Sequence, residues 1–212
     1  MLVLALDTAT PAVTAGVVDL DHEGTARTLA SRVTVDARAH GELLTPHSKE
    51  ALAEAGLDFA DLDAVVCGSG PGPFTGLRAG MVTAAALGQA LGKPVYPVST
   101  LDAIAADFPE VRHLLVVTDA RRKEAYWARY HDGRRVEGPD VRKPADLEDV
   151  EADLVVGAEL LRRAVEAASP TPNGLVMAAA PLFGRTPPPL TPLYLRRPDA
   201  VEPGARKRVS RA

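Results

Sequence analysis

The sequence predicts an α/β protein made of two mixed sheets with packed helices, the second a shortened repeat of the first. Three observations carry this reading. Short apolar runs at 2–6 (LVLAL), 12–18 (AVTAGVV) and, more polar, 25–35 are separated by the turn-rich stretches TATP and DLDHEG. From residue 39 the pattern changes to alternating helix and strand. At residue 114 the opening form returns: a strand ending in Asp (LLVVTD), a tight turn (ARRK) and a returning strand (EAYWARY).

Three neighbouring strands joined by short turns form, most simply, an antiparallel meander. Residues 39–55 then read as a helix, with Leu43, Leu44, Ala51, Leu52 and Ala55 near a 3.6 period. Pro46 is expected to kink or restart it, with Thr45 as the N-cap of the second part. Next come a strand at 64–67, the loop GSGPGPFTG at 68–76, an Ala-rich helix over 77–91 ended by Gly92 and Pro94, a strand at 95–98 and a short helix from 101. Meander, helix, strand, helix, strand is the order of a ribonuclease-H-like mixed sheet, whose last two strands are parallel neighbours. The second cycle places Asp119 where Asp7 stands in the first. A strand at 154–156, a helix at about 159–168 and a proline-rich extended connector follow. The predicted organisation is a first lobe over 1–100, a smaller second lobe over 101–190 and a proline-containing basic segment over 191–212.

Composition removes several classes. The chain has 212 residues, 24 basic against 28 acidic, and a single cysteine, so an internal disulfide or a multi-thiolate metal site is excluded. Cys67 reads as a buried strand residue. The formal charge of −4 argues against coating by nucleic acid, but residues 196–212 hold six basic and two acidic side chains, leaving 18 basic against 26 acidic elsewhere. Such a tail suits contact with RNA or an acidic partner, and equally a solvated terminus. The opening MLVLALD lacks a basic n-region, and no window reaches the ~18 apolar residues of a membrane span, so a cytoplasmic protein is expected.

Among the motifs, GSGPGPFTG is the most informative. It leads from a strand end into a helix N-terminus, where unpaired N–H groups can meet an anion, yet it matches neither the dinucleotide fingerprint nor the P-loop. The alternative is a tight connection that lets the following helix pack closely. Asp7, Thr8, Gly70, Gly72, Thr75 and Gly76 form the candidate nucleotide or anion site. Asp7 could hold magnesium or simply bond the turn amides; a two-metal nuclease would need further carboxylates at that end of the sheet. His40 and His47 have the wrong spacing for a metal pair, and His22, His113 and His131 show no matched partner in sequence. Ser69 lacks a nucleophile elbow. The small residues of 77–91 suit either a partner helix or the core.

LALDTATP (4–11), SGPGPFTGLRAG (69–80), PVSTLDAIA (97–105), DARRKEAYWARY (119–130) and PLYLRRPDAV (192–201) resemble, in that order, the bacterial TsaB (YeaZ) family. The resemblance implies the two-lobed actin, sugar-kinase and Hsp70 type of fold. It also implies a role in making threonylcarbamoyladenosine beside the tRNA anticodon. There TsaC makes threonylcarbamoyl-AMP, TsaD transfers the threonylcarbamoyl group, the ATPase TsaE joins, and TsaB is the catalytically degenerate relative that pairs with TsaD. TsaD carries two metal-binding histidines four residues apart. The matching positions here are Thr100 and Ile104, poor replacements for imidazole. No metal and no required cofactor is therefore expected, and ATP binding is left open.

The implied activity is that of a non-catalytic subunit activating TsaD, docking through first-lobe helices 39–55 and 77–91, with Leu43, Leu44, Arg78, Val82 and Ala85 as interface candidates. Asp119, Arg121, Tyr126 and Trp127 form a family motif without an assigned role. Two alternatives stay open: an independent ATP-binding phosphotransferase or ATPase using Asp7, Asp119 and the glycine loop, and a functional homodimer through the same helices.

Overall fold

The computed structural model describes residues 1–158, 160–162, 164 and 169–196. The first sheet has the order β3-β2-β1-β4-β5. Strands β1 (Leu2–Asp7), β2 (Ala12–Leu20) and β3 (Ala26–Val35) form the expected antiparallel meander, while β4 (Ala64–Gly68) and β5 (Val95–Val98) add in parallel. The second sheet has the order β8-β7-β6-β9, from β6 (His113–Asp119), β7 (Ala125–His131), β8 (Arg134–Arg142) and β9 (Leu154–Gly157). In each sheet the strand that ends in Asp lies between an antiparallel and a parallel neighbour, so the two mixed sheets repeat one plan.

Helices α1 (His40–Glu54) and α2 (Phe74–Leu91) cover one face of the first sheet. Leu4, Leu6, Val13, Leu44, Leu52, Leu62, Leu77 and Met81 close that core. On the opposite face Val3, Ala5, Val66 and Val98 meet α4 (Pro172–Ala179) through Leu175, Val176 and Ala179. Both faces of the central strands are therefore covered, which accounts for their near-continuous apolar sequences. The short helix α3 (Thr100–Ala105) packs Leu101 and Ile104 against Leu114, Val116 and Tyr130 of the second sheet.

Some expectations required correction. α1 runs unbroken through Pro46 and Thr45 does not cap a restart; one missing N–H is tolerated when flanking helix bonds and the buried Leu44, Ser48, Ala51 and Leu52 hold both halves against the sheet. α2 begins at Phe74, three residues before the expected start, with Pro73 in extended geometry before it. β8 and α4 were not anticipated. The helix expected over 159–168 and most of the basic tail lie outside the described residues. No helix among the described residues is long and apolar enough to cross a membrane.

Candidate functional site

The site is built where β1, β4 and α2 converge. Asp7 ends β1 with no exposed surface. Its Oδ1 accepts a hydrogen bond from the Ala9 amide at 2.8 Å, and its Oδ2 accepts one from the Thr100 hydroxyl at 2.7 Å. Burial raises its pKa to about 6, and these hydrogen bonds oppose that rise. Gly68, at the end of the adjacent β4, is required by close approach: a Cβ there would stand 1.7 Å from Asp7 Oδ2. The neighbouring Thr8 hydroxyl donates to the Gly76 carbonyl at 2.7 Å and accepts from the Gly80 amide at 3.0 Å, pinning the first turns of α2 to β1. Gly80, Ala84 and Gly88 lie on the buried side of α2, so part of its small-residue content serves close packing in the core.

The glycine loop thus brings Asp7, Thr8 and Gly76 together, with Gly72 against the Ala9 backbone. Gly70 lies beside Leu77 and the Leu193 carbonyl, and its own carbonyl accepts from the Thr100 amide at 2.7 Å. Thr75 is exposed and lines a cleft of about 150 Å3 with Thr10, His40, Phe74 and Arg121. A second cleft of about 140 Å3 lies between the ends of β1 and β6, lined by Thr10, Pro11, Thr118 and Asp119. Both are smaller than the ~300–1,000 Å3 usual for drug-sized ligands.

Asp119 and Arg121 stand on the far side of these clefts. Asp119 Oδ1 accepts from the Arg121 amide at 2.7 Å within the β6–β7 turn. That turn holds Arg121, Arg122 and Lys123 at φ of 64°, 53° and 60° without a glycine, a costly left-handed run. Tyr126 and Trp127 are elsewhere: both are buried in β7, pointing to opposite sides of the second sheet, and the Arg142 guanidinium lies 4.4 Å from the Trp127 ring centroid. The thiol of Cys67, fully buried, is driven well above its ordinary pKa by desolvation and is a core group.

The residues at the metal-ligand positions implied by resemblance do not fit a metal. The Thr100 hydroxyl is spent on Asp7, and Ile104, 1% exposed, packs in the apolar core beside Leu101 and Leu114. His40 and His47 face protein as well: His40 Nε2 donates to the Thr10 carbonyl at 2.9 Å, and His47 Nε2 lies 2.9 Å from the Thr34 hydroxyl.

Arg78, Val82 and Ala85 share the outward side of α2, Val82 being 67% exposed. Leu43 is half-buried, whereas Leu44 is 1% exposed and belongs to the core. Two aromatics, neither among the residues expected on this side of α2, lie beside Arg78. Phe74 stacks on Tyr194 with centroids 5.3 Å apart, and Arg78 lies 3.8 Å above the Phe74 ring while its Nε donates to Tyr194 Oη at 2.6 Å. The Leu193 amide bonds the Ser69 carbonyl at 2.8 Å, and Arg196 bonds the Ala120 carbonyl at 2.6 Å and Glu124 at 2.9 Å. The segment 193–196 therefore fastens the glycine loop to the second sheet.

Residues 28–178 match the family model described as TsaD, tRNA N6-adenosine threonylcarbamoyltransferase. YeaZ from Pseudomonas aeruginosa superposes with a TM-score of 0.73 at 29% identity, over 92% of this chain and 99% of that one. The chain belongs to the TsaD family, in its TsaB (YeaZ) branch. Uncharacterized proteins of Mycobacterium tuberculosis and Mycobacterium bovis are 57% identical over 203 residues, covering 93% of this chain and of each of them. A tRNA N6-adenosine threonylcarbamoyltransferase of Rhizobium etli is 36% identical over 115 residues, which is 47% of this chain and 32% of that longer protein.

Proposed function

We propose that this TsaB-branch protein is a non-catalytic subunit that binds and activates TsaD in the complex transferring threonylcarbamoyl from threonylcarbamoyl-AMP to the adenosine beside the tRNA anticodon. One observation carries the reading: the Thr100 hydroxyl, at a position where TsaD has a metal-binding imidazole, is committed to a fully buried Asp7. What would be an open acid–metal centre is here a sealed structural hydrogen bond. The chain contributes surface instead, through the outward side of α2 with Arg78, Val82 and Ala85, flanked by Leu43 of α1.

In this reading residues 1–100 form the docking lobe, 101–190 the second lobe, with α4 returning to the first sheet, and 191–212 the basic segment that meets tRNA phosphates. TsaE joins the pair, no cofactor is required by this chain, and the assembly works in the cytoplasm. A homodimer built on the same helices competes with the heterodimer. Independent ATP chemistry would need Asp7 open to magnesium, and its burial weighs against that alternative.

Co-expression with the same organism's TsaD tests the proposal. A stable one-to-one complex is expected, with no ATP turnover by the isolated chain in calorimetry with magnesium and ATP. Absence of any complex, or ATP turnover by the chain alone, would overturn it.

A further inference from the structure

At the end of the second sheet remote from Asp119, two histidines face each other across paired strands. His113 opens β6 and His131 closes β7, and the antiparallel register sets them directly opposite. Their ring centroids are 4.6 Å apart and the planes are inclined by 68°. Neither has a partner at local sequence spacing; the register supplies one. Each ring also has a carboxylate on one nitrogen. His113 Nδ1 lies 3.0 Å from Asp153 Oδ2, which accepts the His113 backbone amide at 3.0 Å as well, and His131 Nε2 lies 3.0 Å from Asp132 Oδ2. A carboxylate accepts only, so these nitrogens carry the protons, and the lone pairs remain on His113 Nε2 and His131 Nδ1.

We propose that His113 and His131 form a binding site for a divalent transition-metal ion of the zinc, nickel or copper class. Imidazole nitrogen suits these ions, and a carboxylate holding the opposite ring N–H is the usual support for a metal-ligating histidine because it fixes the tautomer and raises ligand basicity. Both side chains are accessible, 37% and 40% exposed. They line a cleft of about 280 Å3 with Glu151, Arg129, Tyr130 and Val136. The Arg129 charge is met by Glu137 at 3.5 Å. Among the described residues no group of three His, Cys, Asp or Glu side chains is placed to hold a metal, so the proposed site has two protein ligands, the imidazoles, and its other positions fall to water. The site is open and exchangeable. It lies roughly 20 Å along β6 from the Asp119 end, at ~3.3 Å per residue, and shares no lining residue with the cleft there.

Titration calorimetry of the full chain with zinc chloride at neutral pH, in a non-chelating buffer, tests this. One equivalent should bind, at least tenfold more weakly in His113→Ala and in His131→Ala and unchanged in His22→Ala. Binding should weaken on acidification, since a ligating imidazole must be neutral. Copper(II) electron paramagnetic resonance of the unaltered chain supplies a readout that does not depend on the variants folding, and coupling to two imidazole nitrogens is expected. No uptake of zinc, nickel or copper, binding undiminished in both histidine variants, or a copper spectrum without imidazole coupling would overturn the assignment.

Discussion

At the scale of single residues, Asp7 has the sharpest consequence. Its folded pKa is about 6 against an ordinary 3.8, so the folded state holds the proton more tightly than the unfolded chain. The stabilising share is fully present below the unfolded pKa and is lost as pH rises through about 6. Over that interval the loss should reach about 3 kcal/mol. Asp7→Asn keeps the Ala9 bond through its amide oxygen and reverses the Thr100 bond, its NH2 donating to the hydroxyl oxygen, and should flatten the dependence. Urea unfolding of both proteins at pH 4.5 and 7.5 checks it: the unaltered chain should lose stability relative to Asp7→Asn at the higher pH. Gly68→Ala should cost at least about 2 kcal/mol, because the new methyl meets the Asp7 carboxylate; thermal unfolding reads that loss. Lys123→Gly should act in the opposite direction, stabilising by about 1 kcal/mol, since glycine occupies a positive φ without the penalty that lysine bears.

At the scale of elements, α2 divides its duties by face. Gly80, Ala84 and Gly88 let it lie close over the first sheet, while Arg78, Val82 and Ala85 face outward. Val82→Asp should leave the circular dichroism spectrum unchanged and weaken the complex with TsaD more than tenfold, as measured by calorimetry. Elements were legible in the sequence where pattern and burial coincide. The apolar runs of β1, β2, β4 and β6 are buried strands, and Gly92, which ends α2, adopts the left-handed cap that glycine favours. β8 was illegible because Arg134, Arg135, Glu137, Asp140 and Arg142 dominate an edge strand with Gly138 and Pro139 in its middle. α4 opens with Pro172-Asn173-Gly174, which reads as a turn; only the Thr171 cap, accepting from Gly174 at 2.9 Å, makes it a helix start.

At the scale of the whole molecule, the candidate site was legible only in part. Asp7, Thr8 and Gly76 could be grouped because a strand end and the following glycine loop meet at one edge of a parallel pair. The Thr100 bond to Asp7 spans 93 residues, and the Tyr194 bond to Arg78 spans 116, so no local pattern encodes either. The pairing of His113 with His131 depends on hairpin register in the same way. These long-range ties also join the parts. α3 bonds the first sheet through Thr100 and the second through Asp102, which accepts from Tyr130 at 2.8 Å and from Arg135 at 2.9 Å. A chain so tied, with its acid sealed, suits presentation of a fixed surface.

Reconstituted threonylcarbamoyl transfer to tRNA, with TsaC supplying the adenylate and TsaE present, tests that claim most directly. It compares TsaD alone, this chain alone and the two together. Modification should be strong only when both are present and should be absent with this chain alone. Modified tRNA formed by the chain without TsaD, or full TsaD activity unaffected by its addition, would contradict a docking role.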